Sequence, residues 1–502
     1  MRKRRFLTNA AIMSATSFLI NTVGISFNVY MSNKIGASGV GLFQLIMSVY
    51  GFSITLASSG INLAATRLIT DEIALSKNNA ASYIMKRCLF YAFCFGTLSF
   101  SLLFFGADFI AKNLLCDTRV IKSLKALSIS MPPIAMSSAM SGYFMATRQI
   151  FKSSSAQIFE QAVKIFVTVS ALEMYIGKGI EYACLCMIAG GSIAEISSFL
   201  FMLILYQIDK RRYSSDKIKK DTYPAIFKIA LPIALSTYLR SALVTIEHLL
   251  IPRGLKKSGM DNETALKCYG TIHGMALPLL LFPSSILKSL SSLLVPEISE
   301  CAALGHHRQI NNIISKTLKN TLFFSIGLSG IFYCFAEEIG TIVYKSSAVT
   351  LYIRLLSPLC VIMYIDGIVD GMLKGLNQQV NSMIYNIIDS IVSIMSLLIF
   401  LPRFAGDGYI MAIYISEILN AFLSLNRLIK ITDFYVNYIK WIFLPVISVY
   451  GAGSVVRLIS KFFIGTTPFN IIHLVFQLLS CILIYALFLF SFNYNTKTKH
   501  GN

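Results

Sequence analysis

Apolar runs long enough to cross a bilayer recur along almost the whole of this chain, and that feature leaves few folds open to it. A hydrocarbon core about 30 Å thick takes roughly 20 apolar residues per helix, and within it every backbone N–H and C=O must be satisfied by the segment itself. Windows of this kind, separated by polar or charged breaks, number about fourteen: 6–31, 38–69, 83–111, 122–147, 153–176, 181–207, 224–251, 268–298, 313–336, 350–374, 379–401, 408–429, 438–462 and 468–492. The chain is therefore expected to be an all-α polytopic membrane protein. No break is long enough for a soluble domain, and the longest charged one, DKRRYSSDKIKKD from Asp209, reads as a linker. Whatever the protein does must be built inside the bundle.

The start, MRKRRF, is basic and runs into the first span without a small-residue cleavage site, so it reads as a cytoplasmic flank rather than a removed signal. With the N-terminus inside, even-numbered spans end in the cytoplasm, and their flanks hold the larger share of Lys and Arg. This asymmetry predicts a multi-pass protein of the bacterial cytoplasmic membrane with both termini cytoplasmic. A net charge of +20 would point to nucleic acid in a soluble protein; here it reads as attraction to anionic lipid headgroups. The ten cysteines are scattered through apolar segments such as CLC at 184–186, with no CxxC pair, and no His cluster has metal-ligand spacing. No GxxxxGK[ST] nucleotide loop and no catalytic motif occurs, so no cofactor, no metal and no enzyme activity are expected.

The chain also repeats itself. SGYFMATRQIFKSSSAQIFEQ from Ser141 and DGMLKGLNQQVNSMIYNIIDS from Asp370 align at an offset of 229, which maps Gly142 on Gly371, Gln149 on Gln378 and Glu160 on Asp389. An offset of 225 maps LITDEI (68–73) on LLVPEI (293–298), and 222 maps Glu195 on Glu417. The expected organisation is a six-helix lobe over 1–212, a second over 223–432, and two additional helices over 438–492. An even number of spans per half makes the repeats parallel, and transporters built from such repeats place their site between the halves.

Ionisable residues at membrane depth are costly and need a partner or a wet cavity. Arg67, Arg240 and Lys288 have no carboxylate three or four residues away, so they read as a cationic lining for an anionic headgroup, the guanidinium fork matching phosphate oxygens. Snorkelling of Arg67 and Lys288 to the interface is the alternative. Glu160 and Lys164 are spaced to pair on one helical face, a structural role that extends to Asp389, Glu195 and Glu417. Asp366 and Asp370, one turn apart where the first half has Ser137 and Ser141, read first as local hydrogen-bonding groups and, with Glu247, as candidates for proton or cation coupling. Small and polar residues within spans, including SATS (14–17), Asn21 and Asn28, permit close helix approach or line water.

GASGVGLFQLIMSVY from Gly36, the repeat from Ser141 and SLLVPEISE from Ser292 resemble the stage V sporulation protein B group of the multidrug/oligosaccharidyl-lipid/polysaccharide flippase superfamily, close to the lipid II flippases. The resemblance runs over nearly the whole chain. It implies a polyprenyl-pyrophosphate-linked saccharide as substrate, the peptidoglycan precursor lipid II, carried between leaflets for spore cortex synthesis, with cell-wall synthesis proteins as partners. It implies that the final helix pair helps to form a groove for the lipid tail, and that Arg67 stands where the group carries a basic residue. The chain departs from the group in its first span, where INTVGISFN has Asn21 and Asn28 in place of arginines; both asparagines join the candidate cavity residues. Competing readings are a flippase for another polysaccharide precursor, a cation-coupled drug exporter, a membrane glycosyltransferase and a structural sporulation partner. Twelve-helix exporters lack the final pair, and the largest extracytoplasmic break, near 252–267, is short for a catalytic loop.

Overall fold

The computed structural model describes residues 2–58, 60–74, 80–210, 222–434, 439–463 and 471–498. The described residues are helical nearly throughout, with no strand. By length and apolarity seven helical stretches are able to cross a bilayer, and three bent pairs, with kinks of 56°, 66° and 54°, qualify as broken spans. The expectation of an all-α polytopic membrane protein holds. Contacts divide the chain into two compact units: Met1–Phe27, Lys34–Arg253 and Asn262–Lys267 form one, and Asn28–Asn33, Gly254–Asp261 and Cys268–Asn502 the other. The repeat boundary read from the sequence at 223 thus differs from the contact boundary, which leaves most of the seventh span with the first unit.

The first unit holds α1 (Arg2–Ser58), α2 (Ile61–Ala74), α3 (Ala80–Phe109), α4 (Ile121–Ser128), α5 (Met131–Ala146), α6 (Ile150–Tyr175), α7 (Ile180–Lys210), most of α8 (Thr222–Lys257) and the start of α9 (Asn262–Tyr269). Two predicted spans, 6–31 and 38–69, share α1, which breaks at Gly36, where φ of 70° is open to glycine at no steric cost. Within this unit α8 is fixed by polar contacts: the Tyr238 hydroxyl donates to the Leu56 carbonyl (3.3 Å) and the Thr245 hydroxyl to that of Ser48 (3.1 Å).

The second unit continues with α10 (Leu277–Leu281), α11 (Ser284–Ala303), α12 (His307–Cys334), α13 (Ala336–Glu338), α14 (Ser347–Leu356), α15 (Leu359–Gly375), α16 (Gln379–Ile431), α17 (Leu444–Phe463) and α18 (Ile471–Thr498). The 56° kink between α10 and α11 falls at Pro283, whose ring cannot continue the hydrogen-bond ladder. Just before it, Gly270–Ala276 is wound as a π-helix, which frees carbonyls. The Asn28 amide donates to the Gly274 carbonyl (3.0 Å) and the Tyr344 hydroxyl to that of Met275 (3.1 Å).

Duplication is visible at the level of single bonds. The turn between α5 and α6 places Arg148 at φ 60°, and the turn between α15 and α16 places Asn377, 229 residues on, at φ 60°. Both form a Schellman C-cap: Gln149 N–H reaches the Phe144 carbonyl and Gln378 N–H that of Leu373, each at 2.8 Å. The Asn62 amide donates to the Ser138 carbonyl and the Ser291 hydroxyl to the Gly367 carbonyl, each across 76 residues. The offset of 229 therefore extends through α2 and α11, one helical turn away from the 225 read from the letters. Apolar helices slid by one turn present nearly the same pattern, so letters alone do not fix the turn. Gly142 and Gly371 hold these helices close: a Cβ on Gly142 would overlap the Asn62 carbonyl oxygen, and one on Gly371 the Ser291 hydroxyl.

Candidate transport site

Among the three cations singled out from the sequence, Arg67 stands on α2, Arg240 on α8 and Lys288 on α11, and all are exposed. Arg67 and Arg240 belong to the first unit and Lys288 to the second. Asn21 is exposed on α1, whereas Asn28 is half-buried and committed to the π-helix carbonyl of Gly274. An amide there does a job of local satisfaction that a guanidinium at this position would have to do differently.

The acids separate by their partners. Asp370 forms an ion pair with Lys374 (2.5 Å) and accepts from the Ser382 hydroxyl, while Asp366 accepts from the Asn420 amide (3.1 Å). One turn apart, the two carboxylates thus face different neighbours. Glu247 lies half-buried on α8, and Glu417 and Asp389 half-buried on α16. No cluster of three His, Cys, Asp or Glu with metal-holding geometry occurs among the described residues.

Glu160 and Lys164 form no ion pair. The Ser198 hydroxyl is a hydrogen-bond partner of Glu160. Lys164 lines a small cavity of about 30 Å³ with Glu195, Tyr50 and Ser192, and the buried Glu195 Oε2 has no hydrogen-bond partner. Beyond ion-pair distance, Glu160 is still the carboxylate whose charge acts on Lys164.

Asp209, at the start of the break read as a linker, is fully buried at the end of α7. It accepts from the Tyr143 hydroxyl (3.0 Å), the Gln149 amide (3.1 and 3.0 Å) and Lys152 Nζ (3.0 Å). In the second unit Gln378 is also a junction, its Oε1 taking two bonds from Arg427 (3.1 and 2.8 Å). The repeated glutamine was the available signal, since each copy ties the α5–α6 or α15–α16 turn to a charged residue on a neighbouring helical segment. Outside the spans, Asp117 accepts from Arg119 (2.9 and 2.5 Å) and from Asn262 (3.3 Å). Burial alone would push its carboxyl up, but the bonds to Arg119 outweigh this and hold it below the usual carboxylate value.

A groove of about 510 Å³ runs between α17 and α18, walled by Val456, Ile459, Phe476, Leu483 and Ile484, with Ser460, Gln477 and Ser480 also in its lining. Nearly all of this wall is hydrocarbon.

The architecture is thus that of a two-repeat, all-α membrane protein of the transporter type. The chain matches the polysaccharide biosynthesis protein family over residues 6–302 and belongs to it. It is 26% identical to stage V sporulation protein B of Bacillus subtilis (strain 168) over 378 residues, 73% of this chain and 72% of that protein. Lipid II flippase MurJ of the same organism is 20% identical over 348 residues, 64% of this chain and 63% of that protein. Among solved structures, lipid II flippase MurJ in an inward closed conformation superposes with a TM-score of 0.64 at 15% identity, covering 98% of this chain and 99% of its own. An inward-facing multidrug resistance MATE family transporter gives 0.65 at 13% identity, covering 83% and 98%. The 2% of this chain outside the MurJ superposition is shorter than either α17 or α18, so both final helices have counterparts in that fold.

Proposed function

We propose that this chain moves a polyprenyl-pyrophosphate-linked saccharide across the bacterial cytoplasmic membrane by alternating access. In this reading the substrate is the peptidoglycan precursor lipid II and the use is spore cortex synthesis. The observation that carries the proposal is the hydrocarbon-walled groove between α17 and α18: a long apolar tail needs such a surface, and a compact drug does not. Membership of the polysaccharide biosynthesis family and similarity to stage V sporulation protein B support the substrate class.

Arg67 and Arg240, both of the first unit, are the groups proposed to meet the pyrophosphate, because both are exposed at positions where an unpaired charge in lipid would be costly. Asp366, which accepts from Asn420, is proposed as a coupling carboxylate together with Asp370 and Glu247. Both termini are placed in the cytoplasm, and cell-wall synthesis proteins take up the product. The test is leaflet exchange of labelled lipid II in liposomes containing wild type, Arg67→Ala or Arg240→Ala. Exchange by wild type that either substitution reduces tenfold or more, with folding intact, supports the assignment; equal exchange by all three removes the cations from it, and no exchange beside an active control flippase removes lipid II.

A further inference from the structure

One pocket in the first unit is left over by this account. It encloses about 120 Å³ and is lined by Ser17 of α1, Ser141 and Met145 of α5, and Ser153, Ser154 and Gln157 of α6. That is below the roughly 300–1,000 Å³ of whole small-molecule sites, so it has room for part of a ligand rather than a complete headgroup. The Ser141 and Ser153 hydroxyls bond each other at 3.0 Å. Ser154 is only 6% exposed, yet its hydroxyl has no hydrogen-bond partner among the described residues, and neither do Ser17 and Gln157. Ser154 is otherwise enclosed, so its hydroxyl is left to be satisfied from the pocket.

The second repeat provides an internal comparison. At the offset of 229, Ser141, Met145, Ser153, Ser154 and Gln157 become Asp370, Lys374, Ser382, Met383 and Asn386. There the polar groups satisfy one another: Asp370 takes Lys374 and Ser382, and the Asn386 amide donates to the Ser382 carbonyl (2.8 Å). The same backbone scaffold is internally saturated in one unit and left open in the other.

We infer that the Ser17–Ser141–Ser154–Gln157 pocket is a subsite for the saccharide of the transported lipid, an inference that rests on the function proposed above. The chemistry separates sugar from phosphate. The wall offers hydroxyls and an amide that both donate and accept, matching sugar hydroxyls and N-acetyl groups, and it carries no cation of the kind that phosphate recognition uses. Lys152, one residue before Ser153, is engaged by Asp209. Met145 and Ile150 supply an apolar patch for the C–H face of a pyranose ring.

The test compares two lipids on the full chain in nanodiscs: undecaprenyl pyrophosphate bearing an N-acetylglucosamine–N-acetylmuramic acid disaccharide, and undecaprenyl pyrophosphate alone. Wild type is expected to bind the glycosylated lipid more tightly. Ser154→Val combined with Gln157→Leu is expected to weaken that lipid by about threefold to tenfold per lost hydrogen bond while leaving the bare pyrophosphate lipid unchanged. Gln157→Ala, at an exposed position, gives a milder variant that keeps the comparison readable if the double variant does not fold. Retained preference for the glycosylated lipid in both variants, or equal weakening of both lipids, would overturn the subsite while leaving the flippase reading intact. Failure of wild type to bind either lipid would overturn the flippase reading and the subsite with it.

Discussion

One added methyl group separates two glycines that the duplication made equivalent. At Gly142 a Cβ would overlap the Asn62 carbonyl oxygen and approach Ala65 Cβ to 3.1 Å. The obstacle is helix backbone, so α2 and α5 must separate, which puts Gly142→Ala near the upper end of the overpacking range of about 1–3 kcal/mol. Separation also strains the Thr66 hydroxyl bond to the Gly142 carbonyl (3.2 Å) and the Asn62 bond to Ser138 (3.1 Å). Glycine-to-alanine in a helix returns about 1 kcal/mol, leaving a net loss of roughly 1–2 kcal/mol. At Gly371 the overlapping atom is the Ser291 hydroxyl, which can rotate away at the expense of a long 3.4 Å bond to the Gly367 carbonyl. The helix gain offsets that loss, and Gly371→Ala is expected within about 0.5 kcal/mol of wild type. Read as melting temperatures of purified protein, the first variant falls by about 1–4 °C and the second by less than about 1 °C. Ser291→Ala in the Gly371→Ala background should remove any residual loss. Equal destabilisation by both glycine substitutions, or a neutral Gly142→Ala, would refute the claim that backbone rather than side chain limits the α2–α5 approach.

Three further outcomes are expected. Lys152→Ala leaves the fully buried Asp209 carboxylate with only neutral donors among the described residues and should cost about 3–5 kcal/mol, whereas Asp209→Asn keeps the shape and lets the part-exposed lysine reach solvent, costing about 1–3 kcal/mol; thermal melts rank the two. Because Asp117 is held below its unfolded value, its contribution is present above about pH 4 and is lost as pH falls through the folded value; melting followed from pH 7 to 3 should show a steeper acid loss in wild type than in Asp117→Asn. Arg148 occupies the left-handed position of its C-cap with a side chain that disfavours it, so Arg148→Gly should stabilise by about 1 kcal/mol, while Asn377→Gly, replacing a residue that tolerates the region, should change little; an unchanged melt in Arg148→Gly would count against the strain.

The class of fold was legible because the membrane imposes one rule on every span: enough apolar residues, with the backbone satisfied internally. Gly142, Gln149 and their partners at 371 and 378 were legible as a repeat, and both pairs take equivalent places in their units. Other features left no mark at the letter level. The π-helix at Gly270–Ala276 depends on Asn28 and Tyr344 arriving from distant segments to meet the freed carbonyls. Asp209 looked like the first residue of a charged linker, since the sequence does not show that Tyr143, Gln149 and Lys152 converge on it. For Lys164, the i,i+4 spacing to Glu160 foretold which carboxylate's charge acts on it, but not that the two stay beyond ion-pair distance or that Lys164 lines a cavity with Glu195.

A duplicated chain carries its own control, and the pattern of agreement between the halves is informative. Positions that match, Gly142 with Gly371 and Gln149 with Gln378, are those where helix approach or a turn fixes the residue type. Positions that differ lie on the same helix faces one turn away: Ser137, Ser141 and Met145 in the first half against Asp366, Asp370 and Lys374 in the second. Packing therefore tolerates either set: a serine–serine bond in the first half and an ion pair in the second. The first half thus has a neutral, hydroxyl-lined pocket where the second has a cluster that satisfies itself, so only the first leaves the groups that the proposed saccharide subsite needs.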